Sequence, residues 1–313
     1  MAEQTPAQPY VLVAGAAGID SKGKAGAPFV LGSSTPGLVR VSVGGVARNV
    51  AENLARLGTE VVLLSAIGPG ANGQRILANA AEAGINSDYL IISTEHHSAA
   101  YLALLDEKGN LVYSVDDMEV IACLTPQVIN WRRNLIKNAA MVVLDANLPE
   151  ATIEALVKTA NRYKVRLCAD PASIILAARL KPHLPDLFMV TPNVPEAEVL
   201  SGKAIKDENA AITAARALVN AGVELAIITL AEEGVVYASA QDSGHIPAVA
   251  TNIVDSTGAS DALTATVVFG LLNDIPLDES VRLGASAAAL TLACTDTVCP
   301  DLNLELLYDN LLI

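Results

Sequence analysis

The chain has 313 residues, of which 52% are hydrophobic, 4% aromatic and 17% charged, and its 20 basic and 34 acidic side chains give a net charge of −14. This length is ample for a buried core and allows one large α/β domain or two smaller ones. The acidic balance disfavours nucleic acid as a partner, because binding to a polyanion relies on clustered Lys and Arg.

The apolar stretches of the chain do not predict a membrane protein. The best uncharged apolar ones, 262–273 and 283–295, fall short of the roughly 18 residues that a spanning helix needs. We therefore expect buried helices there and no membrane partner. Residues 1–10 contain an acidic residue and no Lys or Arg, and no apolar core with a cleavage site follows. This beginning predicts no signal peptide and a cytoplasmic protein.

Short apolar runs recur along the chain without polar alternation, which is typical of strands buried on both faces of a parallel sheet. These runs are 11–17, 61–66, 141–144, 165–169, 187–190 and 225–229. Apolar residues at helical spacing fall between them, at 46–57, 73–83, 125–138, 150–163 and 210–221. The alternation predicts a doubly wound, mostly parallel α/β sheet covered by helices.

Two regions interrupt this alternation. Residues 21–43 are rich in Gly, Pro and Ser, and residues 98–115 suggest two strands joined by a turn at 107–110. Because ligands of open α/β sheets bind at the carboxyl ends of the strands, we interpret the regions 21–43 and 98–118 as a small β lid over that edge. An ordinary edge hairpin is the alternative interpretation.

The cysteines and histidines predict neither disulfides nor a metal site. The four cysteines are Cys123, Cys168, Cys294 and Cys299. They lack Cys-x-x-Cys spacing and a nearby His, so we expect reduced thiols. His96 and His97 are adjacent, and neighbouring residues of a strand point to opposite faces, so a shared metal is not expected.

The most informative segment is Asp255-Ser-Thr-Gly-Ala-Ser-Asp261, which precedes an apolar run and is typical of a helix start. The first amides of a helix lack intrahelical acceptors and, together with the helix dipole, favour a bound phosphate group. Asp261 in the first turn has two interpretations. It either caps the helix, or it accepts a proton from a hydroxyl that attacks a phosphoryl group held by those amides.

Further polar groups lie near strand ends and helix starts. Residues 15–20 are expected to end the first strand with the Asp20 carboxylate, which is suited to accept hydrogen bonds from sugar hydroxyls. Gly44 and Gly45 precede the helix that carries Asn49, and the missing side chains would let the backbone approach a ligand closely.

A separate segment suggests a place for magnesium. Asn193 and Glu196 follow a later strand, and such an amide and carboxylate fit a hydrated Mg²⁺, which takes few protein carboxylates and keeps several waters.

No Gly-x-x-x-x-Gly-Lys-Ser/Thr loop occurs, which excludes a Walker-type NTPase. No Gly-x-Gly-x-x-Gly follows the first strand, which disfavours a dinucleotide reductase.

These segments occur in the order seen in the ribokinase-like (PfkB) family of carbohydrate and nucleoside kinases, which the chain resembles over residues 10–312. The shared motifs are the double glycine with Asn49, Asn193-x-x-Glu196, Thr229 to Gly234, and the Gly258-Ala-Ser-Asp261 helix start. The resemblance implies a single three-layer α/β/α kinase domain over residues 1–313 with the lid inserted in it. It also implies ATP and Mg²⁺ as cofactors.

Within that family the chain looks like the branch that phosphorylates the 5′-hydroxyl of pseudouridine. This similarity rests on Pro36-Gly37 ahead of the double glycine and on the segments 101–106, 116–118 and 299–302. It implies transfer of the γ-phosphoryl group of ATP to pseudouridine, by a homodimer that pairs through the lid. Two alternatives stay open: a kinase for another sugar or nucleoside, and a catalytically impaired ligand-binding relative.

Carried onto this sequence residue by residue, the resemblance assigns Asp261 as the catalytic base. The anion hole it implies is made of Gly258, Ala259 and Ser260. The substrate ligands it implies are Asp20, Gly44, Gly45, Asn49 and Asp117, of which Asp117 could equally be a solvated loop acid. The remaining ligands are Asn193, Thr229 and Gly234 for the nucleotide, Glu196 for Mg²⁺ through water, and Asp255 for a loop that binds a monovalent cation such as K⁺.

Two residues depart from the family pattern, which generally has glycine at both positions. Ser260 stands directly before Asp261, and Ala231 lies in the segment that the resemblance places near the nucleotide phosphates. If either position requires a positive φ, a side chain there costs about 1 kcal/mol or more. If its φ is helical, serine is tolerated at 260. These departures motivate the impaired alternative.

Overall fold

The computed structural model describes residues 9–311. Its strands are β1 (Val11–Ala14), β2 (Gly18–Ala25), β3 (Gly37–Gly44), β4 (Val61–Leu64), β5 (Ala66–Ile67), β6 (Ile91–Ile92), β7 (Ala99–Leu105), β8 (Leu111–Asp117), β9 (Met141–Asp145), β10 (Leu167–Asp170), β11 (Met189–Val190), β12 (Leu225–Thr229), β13 (Val235–Ser239) and β14 (Ser243–Ile246). Its α-helices are α1 (Val46–Arg56), α2 (Ala71–Glu82), α3 (Pro126–Trp131), α4 (Arg133–Asn138), α5 (Glu150–Tyr163), α6 (Ile174–Ala177), α7 (Val194–Ser201), α8 (Glu208–Asn220), α9 (Ala259–Leu272), α10 (Leu277–Leu292) and α11 (Leu304–Asp309).

The main sheet has eight strands in the order β14-β13-β12-β11-β10-β9-β1-β4. The six strands from β4 to β12 run parallel, whereas β13 and β14 pair antiparallel at one edge. This arrangement confirms the predicted mostly parallel sheet. The antiparallel edge was not predicted from the sequence.

Helices cover both faces of this sheet, because successive side chains of each buried strand point to opposite sides. Leu12 and Ala14 pack into a core with α3, α4, α5, α7 and α8. Val11 and Val13 pack into a second core with α1, α2, α9, α10 and α11. The fold is therefore a three-layer α/β/α arrangement, and α9 is apolar almost throughout because it is enclosed by its neighbours.

A second sheet of four strands, in the order β3-β2-β7-β8, is called the small sheet below. Its strands β7 and β8 form the hairpin predicted around 107–110, and the Asp106 carboxylate accepts the Lys108 and Asn110 amides in the turn. Strand β2 begins at Gly18, before the predicted region. Asp20 consequently belongs to the small sheet and does not end the first strand, because β1 ends at Ala14 and β2, which carries Asp20, pairs with β3 and β7.

Several predicted elements match the structure closely, while one is divided. The helix expected over 125–138 consists of α3 and α4, which separate at Arg132, where φ is −89° and ψ is 10°. Thr125 caps α3 by accepting the Val128 amide.

Among residues 9–311, no helix combines the length and apolar character required to cross a bilayer.

Candidate active site

Helix α9 begins at a backbone turn that only glycine fits. Gly258 has a φ of +86°, and a Cβ there would lie 1.9 Å from the Thr297 carbonyl oxygen. The first intrahelical bond runs from the Ala262 amide to the Gly258 carbonyl, so the preceding amides point out of the helix start. Ser260 is the second residue of α9 and has no positive φ, so a serine side chain fits there without backbone strain.

Asp261 lies in the first turn of α9 and is only 7% exposed. Its Oδ2 accepts a hydrogen bond of 2.6 Å from the Asn49 amide of α1. Burial raises the pKa of Asp261 to about 7; the Asn49 hydrogen bond opposes this shift, and the nearby Asp145 carboxylate adds to it. A carboxylate with such a pKa is partly ionised near neutral pH and is a stronger base than an ordinary carboxylate.

Arg48 holds the two sides of this helix start together. Its guanidinium is buried and donates to the Asn49 side-chain oxygen and, at 2.6 Å, to Thr297 Oγ1. It also pairs with Glu52 one turn along α1. Arg48 therefore positions both Asn49, which contacts Asp261, and Thr297, which packs against Gly258. The sequence pattern alone did not indicate this role of Arg48.

Gly44 and Gly45 allow neighbouring segments of the protein to pack closely against their backbone. A Cβ at Gly44 would lie 2.3 Å from Asp20 Oδ1, and Gly45, with a φ of +95°, passes the Ala16 carbonyl so closely that a Cβ would lie 2.5 Å away. Gly44 thus lets the Asp20 carboxylate pack against the backbone, and Gly45 lets α1 start beside β1. Burial raises the pKa of Asp20, while the Lys22 and Arg48 charges lower it.

A cavity of about 380 Å³ lies between the small sheet and the carboxyl ends of the main strands. Four of the residues assigned by resemblance line it: Asp20, Gly45, Asn49 and Asp261. Other lining residues include Tyr101, Ser114, Asp116, Asn147 and Thr257.

The sequence prediction of Asp117 as a substrate ligand does not fit this cavity, because Asp116 lines it and Asp117 does not. Asp116 pairs with Tyr101 across β7 and β8, whereas Asp117 is the next residue of the strand and faces the other side. The strand alternation could have distinguished the two residues, had the register of β8 been known.

Two acidic residues of the site were missed from the sequence. Asp145 and Asp170 are the last residues of β9 and β10 and are paired in register. Asp145 Oδ2 accepts the Ala16 amide at 2.8 Å and the Ala47 amide at 3.0 Å, so it fixes the loop after β1 against the start of α1. An acidic residue closing a buried apolar strand was the available signal.

Asp170 lies near both parts of the predicted site. Its Oδ1 accepts the Ala172 amide, while its Oδ2 is buried and has no hydrogen-bond partner within residues 9–311. Burial raises the pKa of Asp170 well above its usual range, and the charges of Asp261 and Glu196 raise it further. An unpartnered, buried carboxylate oxygen between these acids is an environment that favours a bound cation.

Asn193 and Glu196 form a capping box at the start of α7. Asn193 Oδ1 accepts the Glu196 amide at 3.1 Å, and Glu196 Oε2 accepts the Asn193 amide at 2.9 Å. Burial raises the pKa of Glu196. Within the described part of the chain, no cluster of three or more acidic, His or Cys side chains forms a metal cage.

The segment from Thr229 to Gly234 follows β12 and lies beside Asn193, which forms a bridge with Thr229. Gly234 has a φ of +94°, and a Cβ there would meet the Ile246 carbonyl oxygen at 2.1 Å. Ala231 has a φ of +52°, which a residue with a Cβ rarely adopts. Ala231 is therefore strained, in contrast to Ser260. These residues lie outside the 380 Å³ cavity.

Asp255, expected to shape a cation loop, is occupied by a side chain of the protein. Lys22 Nζ lies 2.7 Å from both carboxylate oxygens of Asp255 and 2.5 Å from Thr257 Oγ1. Burial alone would raise the pKa of Asp255, but hydrogen bonds from Lys22 and Thr257, together with the Lys22 charge, outweigh it and lower the pKa.

The chain is similar in sequence to known carbohydrate and nucleoside kinases. Residues 9–302 match the model of the pfkB family carbohydrate kinases. A pseudouridine kinase of Escherichia coli strain K12 is 30% identical over 296 residues, which cover 94% of each chain. An uncharacterised sugar kinase of the same strain is 32% identical over 300 residues, covering 95% of this chain and 82% of that protein.

A solved structure shows the same fold. The ribokinase of Arabidopsis thaliana, complexed with ribose and ATP, superposes with a TM-score of 0.84 at 20% identity and covers 96% of this chain and 98% of that one. The family match over nearly the whole chain, the ribokinase-like fold and the motif residues agree, and the chain therefore belongs to the pfkB family of carbohydrate kinases.

Proposed function

We propose that the protein is an ATP-dependent nucleoside kinase that transfers the γ-phosphoryl group to the 5′-hydroxyl of pseudouridine. The observation that carries the proposal is the start of α9, where the Asp261 carboxylate and outward-pointing amides occur within one helical turn. Phosphoryl transfer needs this combination, because a base must take the proton of the attacking hydroxyl while hydrogen-bond donors stabilise the charge of the transferred group.

The reaction starts with the acceptor hydroxyl donating a hydrogen bond to Asp261. The oxygen attacks the γ-phosphorus in line with the leaving ADP oxygen, and the proton passes to the Asp261 carboxylate. The amides at the start of α9, at Ala259 and Ser260, donate to the phosphoryl oxygens as their charge develops. Gly258 permits this approach, because its turn keeps the helix start free of a side chain.

The acceptor cavity provides groups for both parts of a nucleoside. Asp20 and Asn49 line it beside Asp261, where they can bind the ribose hydroxyls. Asp116 and Ser114 line it from the small sheet. The base of pseudouridine carries two ring N–H donors, whereas uridine carries one because its N1 bears the sugar. A carboxylate acceptor at Asp116 therefore favours pseudouridine.

Closure of the small sheet over this cavity would exclude water and so suppress ATP hydrolysis. Tyr101 and Asp116 already lie on the face that covers Asp261. The small sheet is the lid in this proposal, and residues 21–43 and 98–118 supply most of it.

Magnesium fits the acidic groups on the nucleotide side. Glu196 and Asp170 offer carboxylate oxygens, the ligand type that Mg²⁺ prefers, and the buried Asp170 Oδ2 has no hydrogen-bond partner in the described part of the chain. When bound, the ion neutralises phosphate charge. Asn193 holds the Glu196 carboxylate in place, and Thr229 and Gly234 shape the adjoining nucleotide site.

Homodimerisation through the lid is supported by the outer face of the small sheet. Val41, Leu102 and Val115 form one row across the strands on the side opposite to Asp20, and Val39 and Tyr113 lie in the next row. All five side chains are exposed. Such an apolar sheet face is suited to a second copy of the chain.

Two alternatives differ in testable ways. A kinase for another sugar or nucleoside would keep Asp261 and the helix start while accepting a different substrate in the cavity, and one similar protein is described as a sugar kinase. A catalytically impaired relative is favoured by the strained Ala231, but not by Ser260, whose helical φ keeps the helix start intact.

A coupled ADP-release assay tests the proposal with pseudouridine, uridine, adenosine and ribose as acceptors. Pseudouridine is expected to give the highest kcat/KM, and the phosphorylated product should carry phosphate on the 5′-oxygen. Efficient turnover of another acceptor alone would favour the first alternative. Calorimetric binding of pseudouridine without ADP release would favour the impaired relative.

A further inference from the structure

Lys22 links the small sheet to the loop that leads into α9. Its ammonium contacts both Asp255 oxygens and Thr257 Oγ1, which are 233 and 235 residues away in sequence. Its side chain is only 10% exposed. An ammonium has three donors, and these three acceptors account for all of them.

The Asp255 carboxylate shapes the loop that Lys22 reaches. Asp255 Oδ1 also accepts the Thr257 amide at 2.9 Å, and the Val254 and Asp255 amides both donate to the Leu292 carbonyl at the end of α10. Thr257 directly precedes Gly258. Lys22 consequently fixes the side chains of Asp255 and Thr257, two of the three residues that lead into the helix start at Gly258.

The charge of Lys22 matters as much as its hydrogen bonds. Asp20 lies two residues earlier on the same face of β2, and the Asp255 charge disfavours ionisation of Asp20. Without Lys22, the Asp255 carboxylate would add negative charge beside a site that must accept a polyphosphate. The ammonium lies at the Asp255 carboxylate, where the sequence had suggested a free monovalent cation.

We propose that Lys22 is a positioning residue that supplies the cation for the Asp255–Thr257 loop, so that phosphoryl transfer needs no free monovalent cation there. The inference rests on the proposed kinase function. It predicts that the parent enzyme works equally well in potassium and choline chloride. It also predicts that removing the ammonium creates a site for a small cation.

Lys22→Ala tests this directly, because it removes the equivalent of a propylammonium ion. In choline chloride, its kcat/KM should fall at least about tenfold below the parent, as expected when a largely buried ion pair loses one partner. Adding propylammonium or K⁺ should restore several-fold activity to the variant and leave the parent unchanged. A parent that depends on K⁺, or a variant with parental activity in choline, would overturn the proposal.

A matched control and a charge-balanced variant separate positioning from direct phosphate contact. Lys24→Ala alters the next inward-facing lysine of β2, which is exposed and has no ion pair within residues 9–311, and it should show no cation rescue. Lys22→Met combined with Asp255→Asn should be more active than Lys22→Met alone. If Lys22 instead acts on the phosphate itself, the second change will give no recovery, and the proposal fails.

Thermal unfolding provides a readout that does not depend on turnover. Propylammonium should raise the Tm of Lys22→Ala by about 2 °C at saturating concentration and leave the parent and Lys24→Ala unchanged. If the parent phosphorylates no acceptor but this shift is present, the kinase proposal fails and the cation role of Lys22 stands. If the parent is active and neither Tm nor activity responds, the inference about Lys22 fails alone.

Discussion

The side-chain amide of Asn49 donates a 2.6 Å hydrogen bond to Oδ2 of Asp261, joining α1 to the first turn of α9. Burial raises the pKa of Asp261 to about 7, and the Asn49 hydrogen bond opposes this rise because it stabilises the ionised form. The two residues together set how basic the carboxylate is. Asp261 also lines the cavity proposed to hold the acceptor.

Asp261→Asn removes the proposed base while keeping the size of the side chain. We expect kcat to fall by about 10²–10⁴-fold, the usual contribution of a positioned acid or base, while acceptor binding stays nearly intact. Kinetics and calorimetry on the same preparation measure both quantities. A variant with parental kcat would contradict the assignment of Asp261.

Asn49→Ala should shift the pH dependence of the reaction. A base must be deprotonated, so kcat/KM of the parent should rise about tenfold per pH unit below about 7 and level off above it. Removing the Asn49 donor raises the pKa of Asp261 further, and the midpoint should move to higher pH. The pH profile with a saturating nucleotide checks this.

Asn161→Ala is the control for that profile, since Asn161 is an exposed residue of α5 that donates to Asp186. Its midpoint should equal that of the parent. An Asn49→Ala profile shifted to lower pH, or left in place with reduced height only, would show that Asn49 does not tune the base.

The apolar pattern of the sequence predicted the main sheet well, because strands buried on both faces and enclosed helices are determined by local composition. Strand β12 and helix α5 have the predicted boundaries. Asp261 also falls in the first turn of α9 as predicted. These features depend on residues close together in the chain.

The features that were missed depend on distant pairing. Asp20 was misplaced because its strand is defined by partners at 37–44 and 99–105, and Asp116 was not distinguished from Asp117 without the register of β8. The Lys22–Asp255 pair joins residues 233 positions apart. Asp170 belongs to no sequence motif; its place at the end of a buried strand was the only signal, and its buried Oδ2, which has no hydrogen-bond partner among residues 9–311, makes it a candidate.

Ala231 and Ser260 stand where the family generally has glycine, but their backbones predict opposite responses to glycine. Ala231 has a φ of +52°, so Ala231→Gly should relieve strain and stabilise the protein by about 0.5–1 kcal/mol. Ser260 is helical, so Ser260→Gly should destabilise it by about 0.5 kcal/mol. Urea unfolding measures both. Equal effects of the same sign would contradict this account.

Asp116→Asn should reduce the preference for pseudouridine over uridine. The change replaces a carboxylate, which accepts hydrogen bonds only, with an amide that also donates, so the extra ring N–H of pseudouridine loses part of its advantage. We expect the ratio of the two kcat/KM values to fall about tenfold. Asp117→Asn, on the opposite side of β8, should leave the ratio unchanged. If only Asp117→Asn lost the preference for pseudouridine, base recognition would lie on the opposite side of β8 and the assignment of Asp116 would be wrong.

Val115→Glu should weaken self-association by placing a charge on the outer face of the small sheet. Val115 is 67% exposed and lies in one row with Leu102 and Val41, so a glutamate there would be buried without a partner if two such faces met. Analytical ultracentrifugation should show a dimer for the parent and a monomer for this variant at the same concentration. Trp131→Glu, which alters a 63% exposed apolar side chain on α3, should remain dimeric. A monomeric parent, or dissociation by Trp131→Glu instead, would place the interface elsewhere.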